Sequence, residues 1–161
     1  MSFLIYQIIK AFVNHLRMSL PSSIMKLEVL VMLIKVYSDA ASQGNPGNSG
    51  AGLVILYNGQ QIQQHHYLGN MSNHEAEFAA AIWAFQVLAT LSNESDTIMY
   101  YADSKIVIDS IHKRYAKHFG PQLAQLLTYY DRYHLIIATW LPEKQNHGAH
   151  QLAWQAIHHQ H

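Results

Sequence analysis

The sequence predicts one α/β domain built on a mixed sheet, and three observations carry that prediction. Short apolar runs alternate with longer stretches of helical periodicity, in the order βββαβααβα. The first of these runs is nearly continuous and rich in β-branched residues, as a buried central strand requires. An Asn-Gly pair then joins the second and third runs as a hairpin, so antiparallel pairs must share the sheet with parallel ones. The 161 residues suffice for one sizeable core and leave little room for a second.

The elements follow in order. Val29–Ser38 is the apolar run, ending at Asp39. Residues Ala40–Gly50, with three glycines, two asparagines and a proline, give a strong loop signal. Gly52–Tyr57 and Gln61–Leu68 are predicted strands that meet at Asn58-Gly59, a pair suited to a type I′ turn. A helix is expected from Asn73 to Leu91, opened by a Ser72…Glu75 capping box. Thr97–Ala102 is a short strand and Asp103–Tyr115 a helix. The Gly120-Pro121 break precedes a helix around Gln122–Tyr130. Leu135–Trp140 is the last strand and Asn146–His158 the closing helix.

The predicted domain spans residues 31–158, with a three-residue tail at 159–161 and an extension of unknown role at 1–30. In that extension Phe3, Ile8, Phe12 and Leu16 recur at near-helical spacing. The segment is either a short amphipathic helix or an upstream start, with Met18 or Met25 closer to the working N-terminus. Lys10, Asn14, His15 and Arg17 interrupt it too often for a transmembrane span, and no signal-peptide cleavage pattern is evident. We therefore expect no membrane partner.

Half the residues are hydrophobic and 12% are charged, which speaks against intrinsic disorder. Absence of cysteine excludes a disulfide scaffold or thiolate metal site and is compatible with the expected cytoplasmic location. Ten basic and ten acidic residues balance, so the chain as a whole lacks the basic footprint of a nucleic-acid binder. Any such ligand must be held by a local patch. Lys105, Lys113, Arg114 and Lys117 form one candidate, and a solvated helix face is the alternative. Five of twelve histidines lie in the last fifteen residues, as a metal-binding tail or a frayed polar end.

Three acids stand out. Asp39 lies where an apolar strand runs out, the place where ligand sites collect in α/β sheets, although aspartate also starts turns. Glu75 is accounted for by the capping box, but Glu77 is not. Glu77 precedes Ala81, Ala84 and Leu88 at the head of an apolar stripe, where a carboxylate is costly unless a cation or hydrogen bonds hold it. The helix dipole alone also favours a glutamate there. Asp103 ends a strand and begins a helix, as an N-cap or as a third ligand. If the fold converges the three, their mutual repulsion calls for Mg²⁺ or Mn²⁺.

These residues fall in strings that resemble the type 1 ribonuclease H family. The strings are Tyr37-Ser38-Asp39 through Gly44-Asn45-Pro46-Gly47, Ser72-Asn73-His74-Glu75-Ala76-Glu77, Ala102-Asp103-Ser104, and Trp140-Leu141-Pro142 with Asn146-His147-Gly148-Ala149-His150-Gln151-Leu152-Ala153. The resemblance runs from about Ile34 to Ile157. It implies a ribonuclease H-like fold, a five-stranded mixed sheet flanked by helices. The implied activity is hydrolysis of the RNA strand of RNA–DNA hybrids, leaving 5′-phosphate and 3′-hydroxyl ends. The implied site is Asp39, Glu77, Asp103 and His150 around two metal ions about 4 Å apart. Asp39 would bridge the ions, Glu77 and Asp103 would complete the leaving-group side, and His150 would stand where water is activated. Asn45 and Asn73 match positions that sense the RNA 2′-hydroxyls.

The chain departs from the family at two places. Its fourth acidic position holds His150, where aspartate is usual. Imidazole suits transition metals, so the resemblance then implies a preference for Mn²⁺ over Mg²⁺. The segment Ile111–Gln122 is also too short for the basic protrusion of some members, and Pro142–Gln145 lacks their loop histidine. Hybrid binding, expected of a monomer, would lean on Lys105, Lys113, Arg114 and Lys117 and weaken with salt. A catalytically weakened or inactive nucleic-acid binding module, or an interaction protein on the same scaffold, are the alternatives.

Overall fold

In the computed structural model, residues 32–158 are described. The predicted extension at 1–30 and the tail at 159–161 lie outside them. Strands β1 (Leu33–Gly44), β2 (Gly47–Tyr57) and β3 (Gln60–Met71) are followed by helix α1 (Asn73–Leu91), strand β4 (Thr97–Ala102), and helices α2 (Lys105–Lys113) and α3 (Gly120–Tyr130). Strand β5 (Leu135–Trp140), a 3₁₀ turn at Glu143–Gln145 and helix α4 (His147–His158) complete the order. The described strands form one sheet, β3-β2-β1-β4-β5, mixed as expected. Strands β1–β2 and β2–β3 pair antiparallel, whereas β1–β4 and β4–β5 pair parallel.

Alternation along β1 sends successive side chains to opposite faces. Ile34 and Val36 join Leu53, Ile55, Phe78, Phe85, Leu88, Ile98 and Tyr100 in the main core beneath α1. Ala41, on the other face, packs with Ala153 and Ile157 of α4. Asp39 shares that second face by the same parity, which is why it meets α4. Helix α1 buries residues on most of its faces, because Phe119, which caps α3, stacks on Phe78, and Tyr130 of α3 meets Phe85. No helix of the described residues is long and apolar enough to cross a membrane.

The predicted loop at Ala40–Gly50 is a correction. Strands β1 and β2 run on through it, paired from Asp39↔Gly52 to Gly44↔Gly47, and only Asn45-Pro46 makes the turn. The small residues serve close packing instead of a loop. A side chain at Gly52 would lie 1.9 Å from the Ala149 carbonyl oxygen, and one at Gly50 would lie 2.5 Å from that of Ala153. The Asn58-Gly59 turn forms as predicted, both residues having positive φ.

Candidate active site

Asp39, Glu77, Asp103 and His150 line one cavity of about 390 Å³, together with Ala40, Trp140 and Glu143. Four elements supply the four side chains: β1, the second turn of α1, the residue after β4, and α4. Three acids separated by 38 and 26 positions in the chain thus reach one place only through the fold.

Asp39 is 9% exposed. Its Oδ1 accepts from the Ala40 amide at 2.8 Å, and its Oδ2 lies 2.7 Å from His150 Nδ1. Burial pushes its carboxyl up, to about 9, assisted by the Asp103 charge and a side-chain hydrogen bond with Asp103. The Ala40 amide opposes that rise, and the Glu77 charge adds to it. Burial first, and the neighbouring Asp103 and Glu77 charges after it, thus disfavour the ionised form of Asp39, the condition that a divalent cation relieves.

Glu77 Oε2 accepts from Ser104 Oγ at 2.7 Å and lies 3.2 Å from His74 Nδ1. Ser104 is also the N-cap of α2, its side chain accepting from the Val107 amide. This corrects the capping alternative for Asp103: the cap is the next residue, and the Asp103 carboxylate is left for the cavity. Asn146, 2% exposed, spans the site from below. Its Nδ2 donates to the Ser38 carbonyl at 3.0 Å and to Asp103 Oδ1 at 3.4 Å. The Trp140 indole N–H donates to the Asp103 carbonyl at 2.8 Å.

His150 has both ring nitrogens engaged. Trp154 Nε1, which only donates, lies 3.0 Å from His150 Nε2, so that nitrogen accepts and the proton sits on Nδ1 facing Asp39. As a metal ligand the ring would have to give up one of these bonds. The three carboxylates fit Mg²⁺ or Mn²⁺ by donor chemistry, all oxygen and mutually repelling. Among the described residues, however, no group of three or more such side chains is arranged to hold an ion as it stands. Each is held by its own donors: His150 and Ala40 on Asp39, Ser104 on Glu77, and Asn146 on Asp103.

The RNase H family model matches residues 32–157. The chain belongs to the RNase H family. It is 41% identical over 127 residues to "Putative hydrolase EbsB" of Enterococcus faecalis, an alignment covering 78% of this chain and 94% of that one. It is 33% identical over 84 residues to a ribonuclease H of Desulforamulus reducens, covering 52% of this chain and 50% of the other. In that second comparison the match spans only half the relative's length. Among solved structures, LC11-RNase H1 from a compost metagenome, in complex with an RNA/DNA hybrid, has a TM-score of 0.70 and 23% identity. That match covers 78% of this chain and 96% of the other and supports the fold.

The remaining sequence-predicted residues fall into three places. Asn45 and Asn73 are exposed neighbours, the Asn73 amide donating to Asn45 Oδ1 at 3.1 Å. Lys105, Lys113 and Lys117 line a second cavity of about 610 Å³ that shares Glu77 and Asp103 with the first. Arg114 does not line it; it makes a bidentate pair with Asp131. Sequence reasoning gave no role to Asn146, Ser104 or Trp154. For Trp154 the available signal was its place one turn after His150 on the same helix face.

Proposed function

We propose that this RNase H family member is an endonuclease that hydrolyses the RNA strand of RNA–DNA hybrids with divalent cations, leaving 5′-phosphate and 3′-hydroxyl ends. The observation that carries the reading is the convergence of Asp39, Glu77 and Asp103 on one cavity, with Asp39 buried. The likeness of fold to a ribonuclease H1 that holds a hybrid supports the substrate.

Asp39, Glu77 and Asp103 would hold the metal, two ions by family resemblance. Bound there, divalent ions supply charge to polarise the phosphodiester and to acidify a water. The chain's own groups arrange the rest. Ser104 orients Glu77, and Asn146 ties Asp103 to β1. Asn45 and Asn73, joined by the Asn73 amide, would offer amide groups to ribose hydroxyls. Lys105, Lys113 and Lys117 take backbone phosphates in the adjoining cavity. The expected Mn²⁺ preference depends on His150 exchanging Asp39 or Trp154 for an ion.

A labelled RNA–DNA hybrid incubated with Mg²⁺ or Mn²⁺ tests the proposal. Cleavage should occur and fall by more than about 100-fold in Asp39→Asn, because losses beyond the ligands alone cost about 10–100-fold. One observation favours a second reading, a hybrid-binding module without catalysis: the fourth acidic position is a histidine with both nitrogens engaged. Binding without cleavage in either metal selects that reading.

A further inference from the structure

His150 and Trp154 stand one turn apart on α4, and their rings meet edge to face with centroids 6.3 Å apart. Trp154 packs against the small cluster of Ala41, Ala153 and Ile157, and its other face stacks on His158. The indole is thus fixed by its surroundings, and its N–H points at His150 Nε2 from 3.0 Å.

Two proton placements are open along the 2.7 Å Asp39–His150 bond. In one, Nδ1 carries the proton and Asp39 Oδ2 accepts. In the other, Nε2 carries the ring proton and the bare Nδ1 lone pair faces Asp39 Oδ2. The second is favoured by Glu143, whose Oε1 lies 3.8 Å from Nε2 and whose charge would attract a proton there. It also sets an Nε2–H donor against the indole donor, and an indole nitrogen has no lone pair with which to answer. Only the first placement satisfies all three groups.

We infer that Trp154 is a positioning residue that holds His150 in the Nδ1–H tautomer and so latches the ring onto Asp39. His150 then acts on the buried carboxylate as a hydrogen-bond donor, and its nitrogen lone pair is turned away from Asp39 toward the Trp154 indole N–H. Any consequence for hydrolysis rests on the nuclease reading, whereas the latch itself does not.

Imidazole ¹⁵N NMR of the metal-free protein, without nucleic acid, tests it. In the wild type His150 should show a protonated Nδ1 and an unprotonated Nε2. Trp154→Phe keeps a ring in place but removes the donor, and should move the tautomer ratio about tenfold toward Nε2–H, the scale of one hydrogen bond. His158→Ala removes the stacking partner and keeps the donor, so its signals should match the wild type. A protonated Nε2 in the wild type overturns the inference without any variant. So does an unchanged ratio in Trp154→Phe, or an equal change in His158→Ala. A chain that cuts no hybrid would defeat the nuclease reading and leave these spectra as predicted.

Discussion

Gly52→Ala is the substitution whose cost the structure fixes most closely. A methyl group at this position would lie 1.9 Å from the Ala149 carbonyl oxygen and 2.6 Å from the Ala153 amide nitrogen. Ordinary contact begins near 3.4 Å, and both neighbours are helix backbone that no rotamer change can move aside. Helix α4 must therefore lift from β2, and the residue after Ala149 is His150, held to Asp39 at 2.7 Å. Overpacking costs about 1–3 kcal/mol, and a backbone obstacle places this case at the upper end. For a domain of this size about 3 kcal/mol lowers Tm by roughly 10 °C. Gly120→Ala is the control: it opens α3, has no atom within 4 Å of the added carbon and needs no positive φ. It should melt at or above the wild-type temperature. Thermal unfolding followed by circular dichroism measures both. If Gly52→Ala melts within about 2 °C of the wild type, the close approach of α4 is not what positions His150.

Three further outcomes follow from the same geometry. Between the ordinary carboxyl value of 3.8 and the folded value of about 9, folded Asp39 keeps a proton that the unfolded chain has released. Stability of the metal-free protein should therefore fall as pH rises through that window; urea melts should show a slope that Asp39→Asn flattens and millimolar Mg²⁺ reduces. Asn146→Ala leaves the buried Ser38 carbonyl without its side-chain donor and should cost about 1–3 kcal/mol in urea unfolding, with weaker Mg²⁺ binding by calorimetry. His150→Asp adds a fourth carboxylate beside Asp39, so it should lower metal-free stability at neutral pH while raising Mg²⁺ affinity, and movement of both quantities in the same direction would contradict this.

Most of the frame was legible because it rests on local chemistry. The start of α1 follows from the Ser72–Glu75 capping box, and Asn58-Gly59 makes the β2–β3 turn that its tolerance of positive φ predicts. The segment Ala40–Gly50 misled because Gly, Asn and Ser carry two meanings. They mark turns, and a glycine such as Gly50 also lets a strand lie under a helix, a distinction made by Ala153, Ala156 and Ile157, about a hundred residues away. Asp103 suits an N-cap as well as a ligand, and the cap proves to be the next residue, Ser104. Arg114 counted as a free cation until the fold brought Asp131 to it.

The candidate site was legible as a list and not as a network. Resemblance aligns His150 with a position where aspartate is usual, and one-for-one replacement suggests that nitrogen simply substitutes for oxygen on a metal. The hydrogen bonds argue otherwise. A carboxylate has only lone pairs to offer, whereas a neutral imidazole has one donor and one acceptor, and here each already has a partner. Asp39 receives a proton donor where a relative with aspartate would receive another negative charge. Changing that residue therefore removes repulsion from a carboxyl already raised by burial and by Asp103, and it also removes one ligand. Stability without metal and affinity for metal must move in opposite directions at this position, since the same repulsion that destabilises the empty cavity is what draws the cation in.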